Sequence, residues 1–182
     1  MIEKCHTNIT CINPIKVVNI ENPVKKSFQG KYFLGQTRFL TFGDGCNAWG
    51  GLFNPKKSGV NLFVSTFAVT NASETPFLAQ IWFNPLINHP GVTSKMVTPG
   101  NTVLCPLPKP KIRLAYNENT SENLCNGVNA FNRIVPAFSS IADDKNGKFI
   151  IPPGGSFVIF LPSIDEELRK GDIAFGWWEE KC

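Results

Sequence analysis

Six cysteines and two histidines are the side chains in this 182-residue sequence with the widest chemical range. Thiols and imidazoles serve three chemistries: nucleophilic catalysis, metal binding and covalent cross-linking. A Cys–His catalytic pair meets in space rather than in sequence, so spacing alone does not identify one. Here His6 lies in an irregular leading segment and His89 in the turn-like stretch Asn88-His89-Pro90-Gly91, neither of them in a motif. No nucleophile elbow, phosphate-binding loop, dinucleotide glycine motif or H-E-x-x-H helix occurs. The acidic pairs Asp143-Asp144, Glu166-Glu167 and Glu179-Glu180 are sequence neighbours. Neighbours in extended chain point to opposite sides and cannot act on one bond. The sequence therefore predicts no catalytic residues and no enzyme.

Metal binding has one candidate cluster. Cys5, His6 and Cys11 offer three soft ligands, but zinc sites carry closer cysteine pairs, repeated twice. No metal site and no cofactor are predicted.

Cross-linking suits the thiols best. Cys5 and Cys11 lie near one end of the sequence and Cys182 closes the other, where an unattached chain is normally disordered. A thiol there becomes useful when it reaches a partner, because a disulfide needs α-carbons within about 7 Å. Cys46 sits in a Gly-Asp-Gly-Cys-Asn turn and Cys125 in a polar loop. Cys5, Cys11, Cys182, Cys46 and Cys125 are the candidates for disulfides between subunits. Cys105, closing an apolar run before Pro106, reads as a small buried thiol or a disulfide.

The elements that must position these thiols are strands. Pro and Gly, 14 and 15 in number, interrupt the chain every few residues and block long helices. Short runs rich in Val, Ile, Phe, Thr and Trp lie between them. They predict strands near residues 15–20, 31–33, 38–42, 49–53, 60–71, 77–83, 92–98, 102–104, 111–116, 131–135, 148–151, 157–161 and 173–178. One helical turn is predicted over 164–170, capped by Ser163. Residues 144–147 and 152–155 read as turns. The pattern is that of an all-β, jelly-roll-like β-sandwich over 14–182, preceded by an extended, cysteine-bearing N-terminal arm over 1–13.

Residues 157–161 are apolar on both faces, so one face must meet the opposite sheet and the other a loop or a neighbouring subunit. In 173–178, Ile173, Phe175 and Trp177 share a face, with Ala174, Gly176 and Trp178 on the other. Trp49, Trp82 and Trp177 read as core anchors, whereas Trp178 is the candidate exposed binding aromatic.

Charge narrows the partners. Net charge is +4, and charged residues make up 18% against roughly 25% in ordinary soluble domains. The lysines are scattered, which excludes a nucleic-acid stripe. No run approaches the ~18 apolar residues of a membrane span. The leading residues lack a signal-peptide core, so the expectation is synthesis in a cytoplasm. Cytoplasmic thiols stay reduced. Either these thiols are free, or the protein meets an oxidising exterior without secretion, as when the producing cell lyses.

The segments GKYFLGQT at 30–37, GVNLFV at 59–64, FLAQIW at 77–82, FNRIVP at 131–136, PPGGSFVIF at 152–160 and AFGWWEE at 174–180 resemble a domain family of unknown function from spore-forming Firmicutes. That resemblance spans roughly residues 28–180 and implies no activity. The layout of a cysteine-bearing arm ahead of a jelly roll resembles the endospore appendage pilins. It implies an arm that reaches into earlier subunits of a fibre, with Cys5 and Cys11 matching the arm cysteines, while sheets of adjacent subunits pair edge to edge. The expected function is a self-assembling subunit of a disulfide-stabilised fibre on the spore surface. Its partners would be copies of itself, head to tail, and also spore coat or exosporium proteins. It would be made in the mother cell and released on lysis. The rival expectation is a carbohydrate- or surface-binding jelly-roll module.

Overall fold

A computed structural model describes residues 17–121 and 123–182. The proposed arm, with Cys5, His6 and Cys11, lies outside the described residues. One short helix, α1 (Asn22–Phe28), precedes twelve strands: β1 (Tyr32–Gln36), β2 (Leu40–Phe42), β3 (Asn47–Phe53), β4 (Val60–Asn71), β5 (Phe77–Phe83), β6 (Val92–Thr93), β7 (Val97–Pro99), β8 (Arg113–Thr120), β9 (Val128–Val135), β10 (Ser139–Ile151), β11 (Ser156–Leu161) and β12 (Arg169–Lys181).

These strands form two six-stranded sheets in which the pairings are antiparallel. In one sheet the order is β10-β4-β12-β1-β7, with β2 also on β12; in the other it is β6-β8-β3-β11-β5-β9. The run β1-β12-β4-β10 facing β3-β11-β5-β9 is the double Greek key of a jelly roll. The predicted fold class is the one found. Residues 84–127, between β5 and β9, add β7 beside β1, and β8 with β6 beside β3. One flank of the sandwich is thereby extended, and the other ends on the edges of β9 and β10, which no other strand of the described residues covers.

Inward faces meet in a core built on Phe33, Phe67, Phe157, Phe175 and Trp177, with ring pairs such as Phe157–Phe175 at 6.2 Å between centroids. Each fully buried side chain of this size contributes about 1.5–3 kcal/mol by leaving water. Ile173, Phe175 and Trp177 share the inward face, as the alternation predicts. Every residue of β11 is buried. Its second face carries Val158 and Phe160, which join Trp49 and Ala115 in an outer cluster covered by Ile87 and Leu124. The covering element of β11 is therefore the chain's own long insertion.

Several local expectations change. Residues 102–104 and the described part of 15–20, residues 17–20, form no strand. Residues 164–170 form no helix: the Asp165 and Glu167 carboxylates bind the Arg169 guanidinium, and bends replace the turn of helix. The helix lies instead at α1, where Pro23 fits the first turn and Lys25 and Lys26 complement the last. Residues 144–147 are a bulge inside β10, between Asp144 opposite Thr66 and Phe149 opposite Val64.

Candidate functional site

Strand β12 runs the length of its sheet and defines two ends of the sandwich. At its beginning, Arg169 pairs with Phe42, and the tight turn between β2 and β3 follows, closed by the Gly43–Cys46 bridge. Gly45 N–H donates to Ser163 Oγ at 2.9 Å, and Asp44 N–H to the Asp165 carbonyl at 3.2 Å. These bonds join the β2–β3 turn to the β11–β12 loop and fix Cys46, half-buried, at this end.

At the other end of β12, Lys181 pairs with Val60, and Cys182 N–H approaches the Gly59 carbonyl at 3.4 Å. The loop 100–110 between β7 and β8 belongs to the same end. Leu104 and Pro108 pack so closely on Gly30, which has φ +69°, that a Cβ there would strike both. This corrects the reading of Cys105 as buried. Leu104 takes the inward position, and Cys105 next to it is exposed ahead of a cis bond to Pro106. Cys182 and Cys125 are exposed as well. Cys125 lies where the insertion crosses the second sheet's outer face, its carbonyl accepting from Leu86 N–H at 2.7 Å.

Glu179 secures the Cys105 and Cys182 end from beneath. It is 7% exposed, and its carboxylate accepts from Lys111 N–H and Ile112 N–H at 3.0 Å and from Trp177 Nε1 at 3.3 Å. One carboxylate thus ties β12 to the start of β8.

The bare flank forms the second feature. Residues 136–138 join β9 to β10, and Arg133 bridges them to Asp143 at 3.0 Å. Lys145 adds a second contact to Asp143 at 2.7 Å and lies over the Phe131 and Phe149 rings at 5.1 and 5.3 Å. Partial burial raises the Asp143 pKa, but the hydrogen bonds and charges of Lys145 and Arg133 win and hold it below the usual carboxylate range. Among the described residues, the outer edge of β9 carries no neighbouring strand, and exposed Val128 and Ile134 lie along it, with Phe138 in the turn beyond.

Trp178 is not a surface aromatic. It is 2% exposed on the outer face of its sheet, stacked on Phe63 and roofed by the bulge of β10 at Gly147. Helix α1 packs against β1 and β10 on the same face, with Lys26 paired to Glu180. The expectation of an exposed Trp178 fails because its cover, the β10 bulge at Gly147, comes from a segment remote in sequence. Trp49 and Trp177 are fully buried, and Trp82, half-buried, donates to Gln80 Oε1 at 3.0 Å. Small Ala174 and Gly176 do admit a close approach, but by the chain itself: the Tyr32 hydroxyl and Leu34 lie over Gly176.

Among the described residues, no group of three His, Cys, Asp or Glu side chains is placed to hold a metal ion. No helix among them is long and apolar enough to cross a membrane.

The model of a family of unknown function, DUF6143, matches residues 6–182. No curated protein and no solved structure matches the chain.

Proposed function

The chain belongs to this family of unknown function, and on that premise we propose that it is a structural subunit which joins copies of itself, head to tail, into a disulfide-stabilised fibre or appendage at a spore surface. The observation that carries the reading is the placement of its thiols. Cys46 lies at one end of the sandwich, and Cys105 and Cys182 lie at the other. The span between them is that of the thirteen-residue β12, about 40 Å at ~3.3 Å per residue. Disulfide geometry needs α-carbons within about 7 Å, so a bridge from Cys46 to Cys105 or Cys182 runs between molecules. A contact between unlike ends propagates as a filament when its rotation does not close the chain of subunits into a ring.

The bare edges of β9 and β10 support the same reading, since unpaired strand amides and carbonyls are a template for another chain. Cys5 and Cys11, the candidate arm thiols, would add further bridges. Each bridge forms as two thiols lose two protons and two electrons, the electrons passing to dioxygen outside the lysed mother cell. The spore setting rests on the resemblance of the sequence layout to endospore appendage pilins.

The test is a non-reducing gel of purified protein left in air, with negative-stain microscopy of the same sample. A ladder and fibres that collapse to single chains with reductant are expected, and Cys5→Ser with Cys11→Ser should leave folded domains that form fewer or weaker fibres. A monomer that persists under oxidising conditions refutes the proposal.

A further inference from the structure

The two ends of the sandwich carry opposite charge. At the Cys46 end, the turns β2–β3 and β4–β5 and the β11–β12 loop expose Asp44, Glu74, Asp165, Glu166 and Glu167. Arg169, the nearest guanidinium, is buried against Asp165 at 2.5 Å and Glu167 at 3.2 Å, and its Nε donates to the Pro76 carbonyl. Its charge is spent within the loop. Asp44, Glu74 and Glu166 form no ion pair among the described residues. Lys170, the other cation near them, lies over the Phe39 ring.

The Cys182 end is the reverse. The β3–β4 turn, the start of β1, the loop before β8 and the end of β12 expose Lys31, Lys56, Lys57, Lys109, Lys111 and Lys181. The acids nearby are occupied: Glu179 turns inward to the backbone of residues 111–112, and Glu180 pairs with Lys26. Among the described residues, Lys111 Nζ reaches only the Ser58 carbonyl, at 2.9 Å. Unpaired like charges gathered at one end repel one another and weaken the fold. A surface of opposite sign relieves that repulsion and directs encounter.

We infer that the acidic end of one molecule docks the basic end of a second copy, and that this non-covalent contact forms before any disulfide. The inference rests on the self-assembly reading and deepens it by naming the surfaces. The acidic end also supplies a seat. An open groove of about 530 Å³ runs between residues 73–75 and 167–170; Glu74 and Glu167 line it together with Arg169, which is held by Asp165 and Glu167, and Lys170, which lies over Phe39. The Pro55-Lys56-Lys57-Ser58 turn is the lysine-bearing projection of the opposite end, exposed over residues 55–57. Docked this way, Cys46 of one copy and Cys182 of the next lie at one junction, where oxidation can follow.

Sedimentation velocity on the full chain, kept reduced, tests the contact apart from the disulfides. Wild type should associate at about 0.02 M salt and weaken at least about tenfold by about 0.5 M, where screening acts within ~4 Å. Asp44→Lys with Glu74→Lys and Glu166→Lys should abolish association, as should Lys56→Glu with Lys57→Glu and Lys109→Glu. Mixing the two variants should restore heterotypic pairs. Circular dichroism separates loss of docking from loss of fold, and single substitutions within each set serve if a triple variant does not fold. Association indifferent to salt and to both reversals overturns the inference, as does a wild type monomeric at low salt. Reversed variants that still build reductant-sensitive fibres in air overturn the contact and leave the fibre reading standing.

Discussion

Gly147 lies against the six-membered ring of Trp178, so close that a Cβ on Gly147 would overlap the indole. The contact is made possible by a left-handed backbone at Asn146 and Gly147, φ +47° and +72°, in the bulge that interrupts the pairing of β10 with β4. Trp178 in turn stacks on Phe63 with centroids 5.3 Å apart and planes 7° from parallel. The outer face of this sheet is thereby closed by a plug of Gly147, Trp178 and Phe63.

Gly147→Ala places a methyl group into that ring and strains the left-handed backbone. Steric overlap and positive φ together should cost about 2–4 kcal/mol. Urea unfolding followed by tryptophan fluorescence measures it, with Gly45→Ala, at a turn where nothing lies within 4 Å of a new Cβ, as the comparison. Both positions carry positive φ, so an equal loss at the two would show that only backbone strain matters at Gly147.

Glu179→Gln retains the shape of the side chain and removes its charge. The three N–H donors that converge on the carboxylate would meet a group with one oxygen and an NH₂ that cannot accept from them. The expected loss is about 2–3 kcal/mol. Glu180→Gln, which breaks only the pair with Lys26, should cost under about 1 kcal/mol. Thermal unfolding of both variants ranks them, and equal stabilities would show that Glu179 does not anchor residues 111–112.

The extent to which this molecule is legible in its sequence depends on where each side chain's neighbours come from. Strands β4 and β5 occupy 60–71 and 77–83, the predicted limits, because alternation and flanking turn residues are local signals. Strand β10 reads short in the sequence because Asp-Lys-Asn-Gly has the composition of a chain reversal, and only the β4 partner makes it a bulge. The helix predicted at 164–170 has acids at helix-like spacing from Arg169, but the guanidinium is held by the Pro76 carbonyl across the end of the sandwich. Burial at Trp178 and exposure at Cys105 are not legible in the sequence for one reason. Each depends on a remote segment, the β10 bulge in one case and Gly30 in the other. The thiols stood out by residue type, whereas their sorting to opposite ends is a product of topology and invisible before the strands are paired.

Asp143 predicts a pH dependence on the bare flank. Its folded pKa is depressed below the ordinary carboxylate value by Lys145 and Arg133 against the opposing effect of burial. The stabilisation is therefore complete above the unfolded pKa of about 3.9 and is lost as pH falls through the lower folded value. Arg133 is exposed and Asp143 and Lys145 are only partly buried, so solvent screening holds the contribution to about 1 kcal/mol. Asp143→Asn should lower urea stability by that amount at pH 7, and the difference should shrink toward pH 2. A difference that stays constant down to pH 2 would assign the effect to packing of Lys145 over Phe131 and Phe149 instead.

Thiol accessibility gives the most direct check on the two-ended arrangement. Cys105, Cys125 and Cys182 are exposed and Cys46 is half-buried in its turn, so iodoacetamide acting on reduced native protein should label the first three quickly and Cys46 several-fold more slowly. Peptide mass spectrometry resolves the four sites, and labelling in urea should erase the difference. The same peptides then report on oxidised material. A thiol at the beginning of β12 and one beyond its end are separated by far more than a disulfide spans, so a Cys46–Cys182 cross-linked peptide should appear only in fractions larger than one chain. Mixing isotopically light and heavy protein before oxidation should give about half of such peptides one light and one heavy partner, the statistical result for random pairing between molecules. Linked peptides with both halves always from the same isotope, recovered from single chains, would mean that the strand order placing these thiols at opposite ends is wrong.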